Sequence, residues 1–172
     1  PNARDLSTNE PNTQPANTSE PNKHQKLAGG IARVNIDLIF GGLPRLPEEG
    51  EELYSESFHL MPGGGVGATL QNIKRLGGDG RFVTFFGQDR FSRIGQQWLE
   101  EASLTYLNLY KGDGIPVNIS AAMVTPNDRS FVSFTSHPDP IGVPLDQAME
   151  DEAYETLKDC SVVLMQPGYL KL

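Results

Sequence analysis

Cysteine is almost missing from this sequence, since Cys160 is the only one in 172 residues. A single thiol excludes an intrachain disulfide framework and a cysteine-based zinc site, and it favours a reducing compartment. Long apolar runs are missing as well, because no stretch approaches the roughly 18 residues of a membrane helix. We therefore expect a cytoplasmic protein without a membrane partner.

Positive charge is also scarce, with 14 Lys and Arg residues against 22 Asp and Glu residues and a net charge of −8. An acidic chain repels the phosphate backbone of nucleic acids and anionic lipid surfaces. Nucleic acid is therefore not an expected partner. The three histidines, His24, His59 and His137, are isolated from one another in the sequence, and we expect no metal site from them.

The N-terminal residues 1–27 differ in composition from the rest of the chain. They are rich in Asn, Ser, Thr and Pro, contain no aromatic residue and offer few apolar side chains. Such a segment buries too little surface to offset the entropy lost on ordering. We expect a disordered polar tail over 1–27 and one folded unit over 28–172.

The folded unit alternates strand-like and helix-like patterns. Apolar residues at helical spacing predict helices that begin near Val66, Phe91 and Pro144. Short apolar runs predict strands at 31–40, 81–86, 104–110 and 161–165. This alternation predicts an α/β fold of three layers, with helices on both faces of a mostly parallel sheet.

Two further segments do not fit the alternating pattern. The polar segment 43–61 predicts an exposed or edge strand near its end. The segments 117–124 and 130–134 flank a turn, which predicts a hairpin.

The first predicted strand, 31–40, carries Asn35 and Asp37, whose side chains share one face because strand residues alternate. A carboxylate in a buried strand needs partners. Asp37 either caps a nearby turn or helix, or it accepts hydrogen bonds from ligand hydroxyls.

A glycine run, Gly63, Gly64 and Gly65, precedes the first predicted helix. Glycines allow a ligand to approach the unpaired N–H groups at a helix N-terminus. The run is also compatible with a flexible loop. Its spacing to Ala68 matches the G-x-G-x-x-A dinucleotide fingerprint, which leaves a nicotinamide-dependent oxidoreductase as an alternative, although the preceding segment is polar and ends in Pro62.

In this order the motifs resemble the ribokinase, or PfkB, family of carbohydrate kinases. The resemblance covers about 29–172 and rests on four sequences: Val34-Asn35-Ile36-Asp37; Pro62-Gly63-Gly64-Gly65 with the helix to Gly77; Phe86-Gly87-Gln88-Asp89-Arg90-Phe91; and Ser161-Val162-Val163-Leu164-Met165-Gln166 with Gly168-Tyr169-Leu170.

This resemblance implies a ribokinase-like fold with a small β lid formed near 43–61 and 117–134. It implies an ATP- and Mg²⁺-dependent kinase that phosphorylates a hydroxyl of a sugar or nucleoside. Asp37 and the backbone of Gly63, Gly64 and Gly65 would hold substrate hydroxyls, with Asn35 as a neighbour. A homodimer formed through the lid is a further implication.

Two departures from the family pattern qualify these implications. Many members carry an Asn at the position of Ala68, where it contacts substrate. The family's Gly-Ala-Gly-Asp motif, whose Asp is the general base, does not occur in the 172 residues. We therefore expect this chain to be the N-terminal, substrate-binding portion of a kinase, without a catalytic residue and inactive alone. A non-catalytic sugar-binding or regulatory protein is the alternative.

Overall fold

The structure is a computed structural model, and it describes residues 27–136 and 143–169. The predicted polar tail and His137 lie outside these residues, apart from Leu27. Elements are numbered in chain order. No helix within the described part of the chain is long and apolar enough to cross a lipid bilayer.

A four-stranded parallel sheet, here called the central sheet, has the strand order β5–β4–β1–β8. Each neighbouring pair of its strands is parallel. Its strands are β1 (Leu27–Ile31), β4 (Asp79–Thr84), β5 (Thr105–Asn108) and β8 (Val162–Met165).

Helices cover both faces of the central sheet. The described residues form three of them: α1 (Gly65–Arg75), α2 (Arg90–Glu101) and α3 (Gln147–Leu157). On β4, Phe82 packs in one core cluster with Leu70 of α1 and Leu99 of α2. The next residue, Val83, packs in a second cluster with Leu157 of α3. Because strand side chains alternate between faces, these clusters lie on opposite sides, and the predicted three-layer α/β fold is confirmed.

A second four-stranded sheet, here called the mixed sheet, has the order β3–β2–β6–β7. The pair β2–β6 is parallel, whereas β2–β3 and β6–β7 are antiparallel. It includes the predicted hairpin, whose turn is closed by the Thr125 N–H donating to the Asp128 carbonyl over 2.9 Å. Its strands are β2 (Asn35–Gly41), β3 (Ser57–Gly63), β6 (Asn118–Val124) and β7 (Arg129–Phe134).

The prediction of one buried strand over 31–40 was wrong. The chain leaves the central sheet after Ile31 and enters the mixed sheet at Asn35. In the linking segment, the backbone N–H of Arg33 donates to Oε1 of Gln166 over 3.2 Å instead of to a neighbouring strand. Within β2 only Ile36 is buried, so the strand that carries Asn35 and Asp37 is half-buried and not enclosed on both faces.

The edge strand β3 extends further than predicted, through Pro62 to Gly63. Proline cannot donate to a strand ladder and is tolerated where its missing N–H would face away from a neighbour. β3 has β2 on one side and no strand of its sheet on the other. The edge position that the polar pattern predicted therefore explains why Pro62 does not end the strand.

Candidate functional site

The mixed sheet brings the Asn35–Asp37 segment and the glycine run together. β2 and β3 pair so that Asn35 lies opposite Gly63 and Asp37 lies opposite Met61. β3 then passes through Gly64 directly into α1. Two motifs separated by about 25 positions in the sequence thus meet at the junction of the mixed sheet and the N-terminus of a helix.

Gly63 leaves room for the Asp37 carboxylate. A Cβ atom on Gly63 would lie 2.7 Å from the Asp37 Cγ and 2.8 Å from its Oδ1. Real side chains do not approach so closely, so any larger residue would displace the carboxylate. The glycine therefore allows the Asp37 carboxylate to lie directly against the main chain that leads into α1.

The Asp37 carboxylate has no hydrogen bond or ion pair with another side chain or with a backbone N–H among the described residues. It therefore caps none of the described turns or helices. Burial alone raises the pKa of this carboxyl above its ordinary value, because desolvation disfavours the charged form. The Asp37 oxygens are not among the buried polar atoms without partners, so solvent reaches them. They can also accept hydrogen bonds from a ligand that supplies hydroxyl groups.

Gly64 and Gly65 form an open start to α1. Gly64 is the N-cap residue with φ of 93°, a backbone conformation that favours glycine, and no side chain caps the helix. A Cβ on Gly65 would meet nothing within 4 Å. The N–H groups of the first turn therefore lie at a place that a ligand can reach.

Ala68 lies on the same side of α1 as Gly65, three residues further on, and both are exposed. Asn72 follows one turn later and is exposed too. The helix thus presents the small side chain of Ala68 next to the glycine run. An asparagine in place of Ala68 would add an amide there.

Sequence reasoning missed the residues that β6 contributes. Asn118 lies in register with Asn35, and its Nδ2 donates to Asn35 Oδ1 over 3.1 Å. Ser120 lies in register with Asp37, and its hydroxyl is 2.9 Å from that of Ser133 on β7. The sequence signal for these residues was the Asn-x-Ser pattern at Asn118 and Ser120, which has the same spacing as Asn35 and Asp37. That pattern does not show that β2 pairs with β6.

Sequence reasoning also missed Arg33, which is buried at the junction of the two sheets. Its Nη1 donates to Thr135 Oγ1 over 2.7 Å, just beyond β7. Its backbone N–H is bound by Gln166, just beyond β8. Arg33 therefore connects the end of the central sheet to the mixed sheet beside the candidate site.

Asp89 has a local structural role. Its Oδ1 accepts from the N–H groups of Phe91 and Ser92, both at 2.9 Å, and its Oδ2 accepts from the Ser92 hydroxyl at 2.6 Å. It is the N-cap of α2. Trp98 packs against the first core cluster, and Cys160 is partly buried.

The described residues do not fit Mg²⁺ by themselves. Within 27–136 and 143–169, no group of three or more His, Cys, Asp or Glu side chains could hold a metal ion. His59 stands exposed on β3. The groups that the structure brings together are a carboxylate, amides and main-chain N–H groups, all of which can form hydrogen bonds with hydroxyl groups.

Comparisons with solved structures found kinases of one fold. The Arabidopsis thaliana ribokinase complexed with ribose and ATP matches with a TM-score of 0.66 and 17% identity, over 83% of this chain and 45% of that one. The Thermotoga maritima ribokinase matches with a TM-score of 0.60 and 18% identity, over 80% and 44%. A PfkB family carbohydrate kinase from Listeria grayi gives 0.58 and 14%, over 81% and 41%.

No family model matches the sequence, and the search of curated proteins found no match. The chain spans less than half the length of the ribokinases it resembles. At identities of 14–18%, the likeness is one of fold. The chain has the ribokinase-like α/β fold, as the motifs around Asp37, Gly63 and Asp89 predicted.

Proposed function

We propose that this chain forms the substrate-binding part of an ATP-dependent kinase that phosphorylates a hydroxyl of a sugar or nucleoside. The observation that carries this proposal is the Asp37 carboxylate, which lies against Gly63 without a hydrogen-bond donor among the described residues. A carboxylate has two oxygens and only accepts, so it can receive hydrogen bonds from two neighbouring hydroxyls. The ribokinase-like fold supports the same class of activity.

The proposed binding mode uses three groups. Asp37 accepts from substrate hydroxyls, and the open N–H groups at Gly65 and the following residues donate to substrate oxygens. Asn35 is held by Asn118, so its orientation is fixed before the ligand arrives. Fixed polar groups reduce the entropy cost of placing the reacting hydroxyl.

In this proposal the chain positions substrate, and the general base and the ATP site lie outside residues 1–172. ATP would supply the transferred phosphoryl group. The mixed sheet carries Asp37, and its closure over the substrate would exclude water from the transfer. No step is assigned to Mg²⁺ through residues of this chain.

The test is an assay of ATP consumption by the complete gene product with a panel of sugars and nucleosides. We expect one class of substrate to stimulate ADP formation. Asp37→Asn should reduce kcat/KM for that substrate at least tenfold, because a charged acceptor is lost. Asp128→Asn, at the far turn of the same sheet, is the matched control and should leave it unchanged. Absence of stimulation by every compound would contradict the proposal.

A non-catalytic sugar-binding protein is the second candidate. The hydrogen-bonding groups at Asp37 and Gly65 would serve this function equally, because in either case they hold substrate and take no part in phosphoryl transfer. It predicts saturable sugar binding by the complete gene product without any transfer of phosphate.

The structure does not support the oxidoreductase alternative. The dinucleotide fingerprint needs a parallel strand before the helix, whereas β3 is an antiparallel edge strand.

A homodimer through the mixed sheet is part of the proposal. Four apolar side chains on one face of this sheet are 39–66% exposed: Phe58, Leu60, Val132 and Phe134. Burial of such residues against a second copy would stabilise a dimer. Light scattering should show a dimer that Val132→Glu converts to a monomer, whereas a monomeric wild type would contradict this part.

A further inference from the structure

A groove between α1 and α2 is separate from the residues of the candidate site. Its volume is about 350 Å³, which is in the range of ligand-binding clefts. It is called here the helix groove. Its lining comes from both helices and from the end of β3, and it includes Pro62, Gln71, Lys74, Arg75, Trp98 and Glu101.

The helix groove contains a side-chain amide that the fold leaves unused. Gln71 is only 7% exposed, and its amide makes no hydrogen bond with another described residue. Its polar atoms are not among the buried atoms without a partner, so the small exposed part of Gln71 is the amide, where it lines the groove. An amide offers two donors and one acceptor, the combination that pairs with another amide.

Trp98 and Pro62 give the helix groove an apolar part. The Trp98 ring packs on one side against the first core cluster and on the other lines the groove. Its indole N–H donates to no described residue and is accessible to solvent. Aromatic surfaces of this kind bind proline rings in extended peptides.

The two helices bring opposite charges to the helix groove. Arg75 of α1 and Glu101 of α2 form no ion pair with another described residue, whereas Lys74 is paired with Asp79 over 2.9 Å. The complementary occupant is therefore a peptide with a carboxylate toward α1, a proline in the middle and a cation toward α2.

The chain enters the central sheet next to this groove. Leu27, the first described residue, lies opposite Asp79 in the register of β1 with β4, and Asp79 holds Lys74 of the groove. Neighbouring strands lie about 4.8 Å apart. Asn22 is five positions before Leu27, a stretch that spans up to about 17 Å when extended. The residues just before β1 can therefore reach the groove.

The complementary sequence occurs in that part of the chain, which lies outside the described residues. Residues 1–26 contain the tripeptide Glu-Pro-Asn twice, at 10–12 and at 20–22. Lys23 follows the second copy, whereas Thr13 follows the first. Only the second copy therefore combines a carboxylate, a proline, an amide and a cation, and it is also the copy nearer to β1.

We propose that segment 20–23 of this chain docks in the helix groove, so that the N-terminal part of the chain is held against α1 and α2. The juxtaposition that carries this inference is the unused Gln71 amide between two unpaired charges, beside the point where the chain enters β1. A segment with too little apolar surface for a core of its own can be held by such a short motif. The proposed pairs are Glu20 with Arg75, Pro21 with Trp98, Asn22 with Gln71, and Lys23 with Glu101.

The test is the indole N–H resonance of Trp98 in the complete gene product with isotope-labelled tryptophan, assigned by its loss in Trp98→Phe. The double variant Glu20→Lys, Pro21→Gly should move this resonance, because the segment leaves the groove. The matched control is Glu10→Lys, Pro11→Gly, which makes the same change in the first copy and should leave the resonance in place. A resonance unchanged in both variants, or moved equally in both, would overturn the inference.

A synthetic peptide with the sequence of residues 17–26 separates docking from an indirect effect. It should return the Trp98 resonance of the Glu20→Lys, Pro21→Gly variant to the wild-type position in a saturable manner. Adding Gln71→Leu to that variant should raise the Kd of the peptide about 3- to 10-fold, as expected for one lost hydrogen bond. A peptide without effect, or an unchanged Kd with Gln71→Leu, would contradict the proposal. Movement of the wild-type resonance by the peptide would show that the groove is free in the wild type, which also contradicts it.

Discussion

At the scale of single residues, Asp37 carries most of the proposed substrate site. Its carboxylate lies half-buried against Gly63, and no donor among the described residues bonds to it. Burial raises its pKa, so the protonated form is favoured in the folded chain relative to the unfolded one. The contribution of the Asp37 carboxyl to the stability of the folded chain is therefore present at low pH. It is lost as the pH rises through the raised pKa.

Asp37→Asn should therefore stabilise the unliganded protein at pH 7, where the wild-type residue is ionised. The gain in melting temperature should shrink as the pH falls toward the ordinary carboxyl value of 3.8, because the wild-type group becomes neutral too. Affinity for the substrate should fall roughly 10- to 150-fold, as expected for a bond to a charged acceptor. Thermal melts at pH 4 and pH 7, with a titration at pH 7, check both effects. A lower melting temperature for the variant at both pH values would show a structural role for Asp37.

Gly64 and Gly65 should respond differently to alanine. Gly64→Ala places a Cβ at φ of 93° and should cost about 1–2 kcal/mol of stability. Gly65→Ala meets nothing within 4 Å and should leave stability unchanged or raise it by up to about 1 kcal/mol. Its methyl group should nevertheless weaken substrate binding. Denaturant unfolding and calorimetry measure the two quantities, and unchanged affinity in Gly65→Ala would place the ligand away from the start of α1.

The sequence was sufficient to predict one part of the candidate site. Asn35 and Asp37 stand out because they are polar residues at strand spacing in an apolar run, and Gly63–Gly65 stand out before a helix. Asn118 and Ser120 have the same spacing but belong to a hairpin with many polar residues. They become recognisable only through the register of β2 with β6, which long-range pairing sets.

At the level of elements, the break between β1 and β2 matters most. The apolar run over 31–40 predicts one strand, because periodicity cannot show that a chain changes from one sheet to another. The break is made by tertiary contacts of Arg33, with Gln166 beyond β8 and Thr135 beyond β7. By contrast, the helices were predictable because their signals are local, such as Gly77 with φ of 84° after α1.

The start of α2 gives a prediction at the element scale. Asp89→Ala removes the acceptor for the N–H groups of Phe91 and Ser92 and should cost about 0.5–2 kcal/mol of stability. Asp89→Asn keeps an acceptor oxygen and should recover most of that loss. Because Asp89 caps a helix, substrate affinity should stay within about twofold. Chemical unfolding and calorimetry check this, and a large loss of affinity in Asp89→Asn would indicate direct contact with substrate.

At the level of the whole molecule, the ribokinase-like fold extends over only part of the length of the matched ribokinases. The matches to the ribokinases extend over 80–83% of this chain but over only 44–45% of the ribokinase chains. Its central sheet ends at β8, where Val162 is 52% exposed. Within the described residues, no group of three or more His, Cys, Asp or Glu side chains could hold a metal ion.

The 172-residue chain alone should therefore not transfer phosphate. Loss of a general base costs about 10²- to 10⁴-fold, and loss of the nucleotide site should remove what remains. The check is a radiolabel assay with ATP and the sugar panel on the purified chain, with the complete gene product as the positive control. Phosphorylation of any sugar by the chain alone would show that its own residues include a base and a nucleotide site.

The central claim is that a hydroxyl-bearing substrate binds at Asp37 and the glycine run. The most direct measurement is the change in backbone amide resonances of the isotope-labelled chain during titration with D-ribose, D-fructose and adenosine. The account predicts that the best ligand shifts the amides of Asn35, Asp37, Gly63, Gly64 and Gly65, and that Asp37→Asn abolishes these shifts at the same concentration. Shifts that cluster elsewhere, such as the groove lined by Tyr154, Cys160 and Met165, would contradict it.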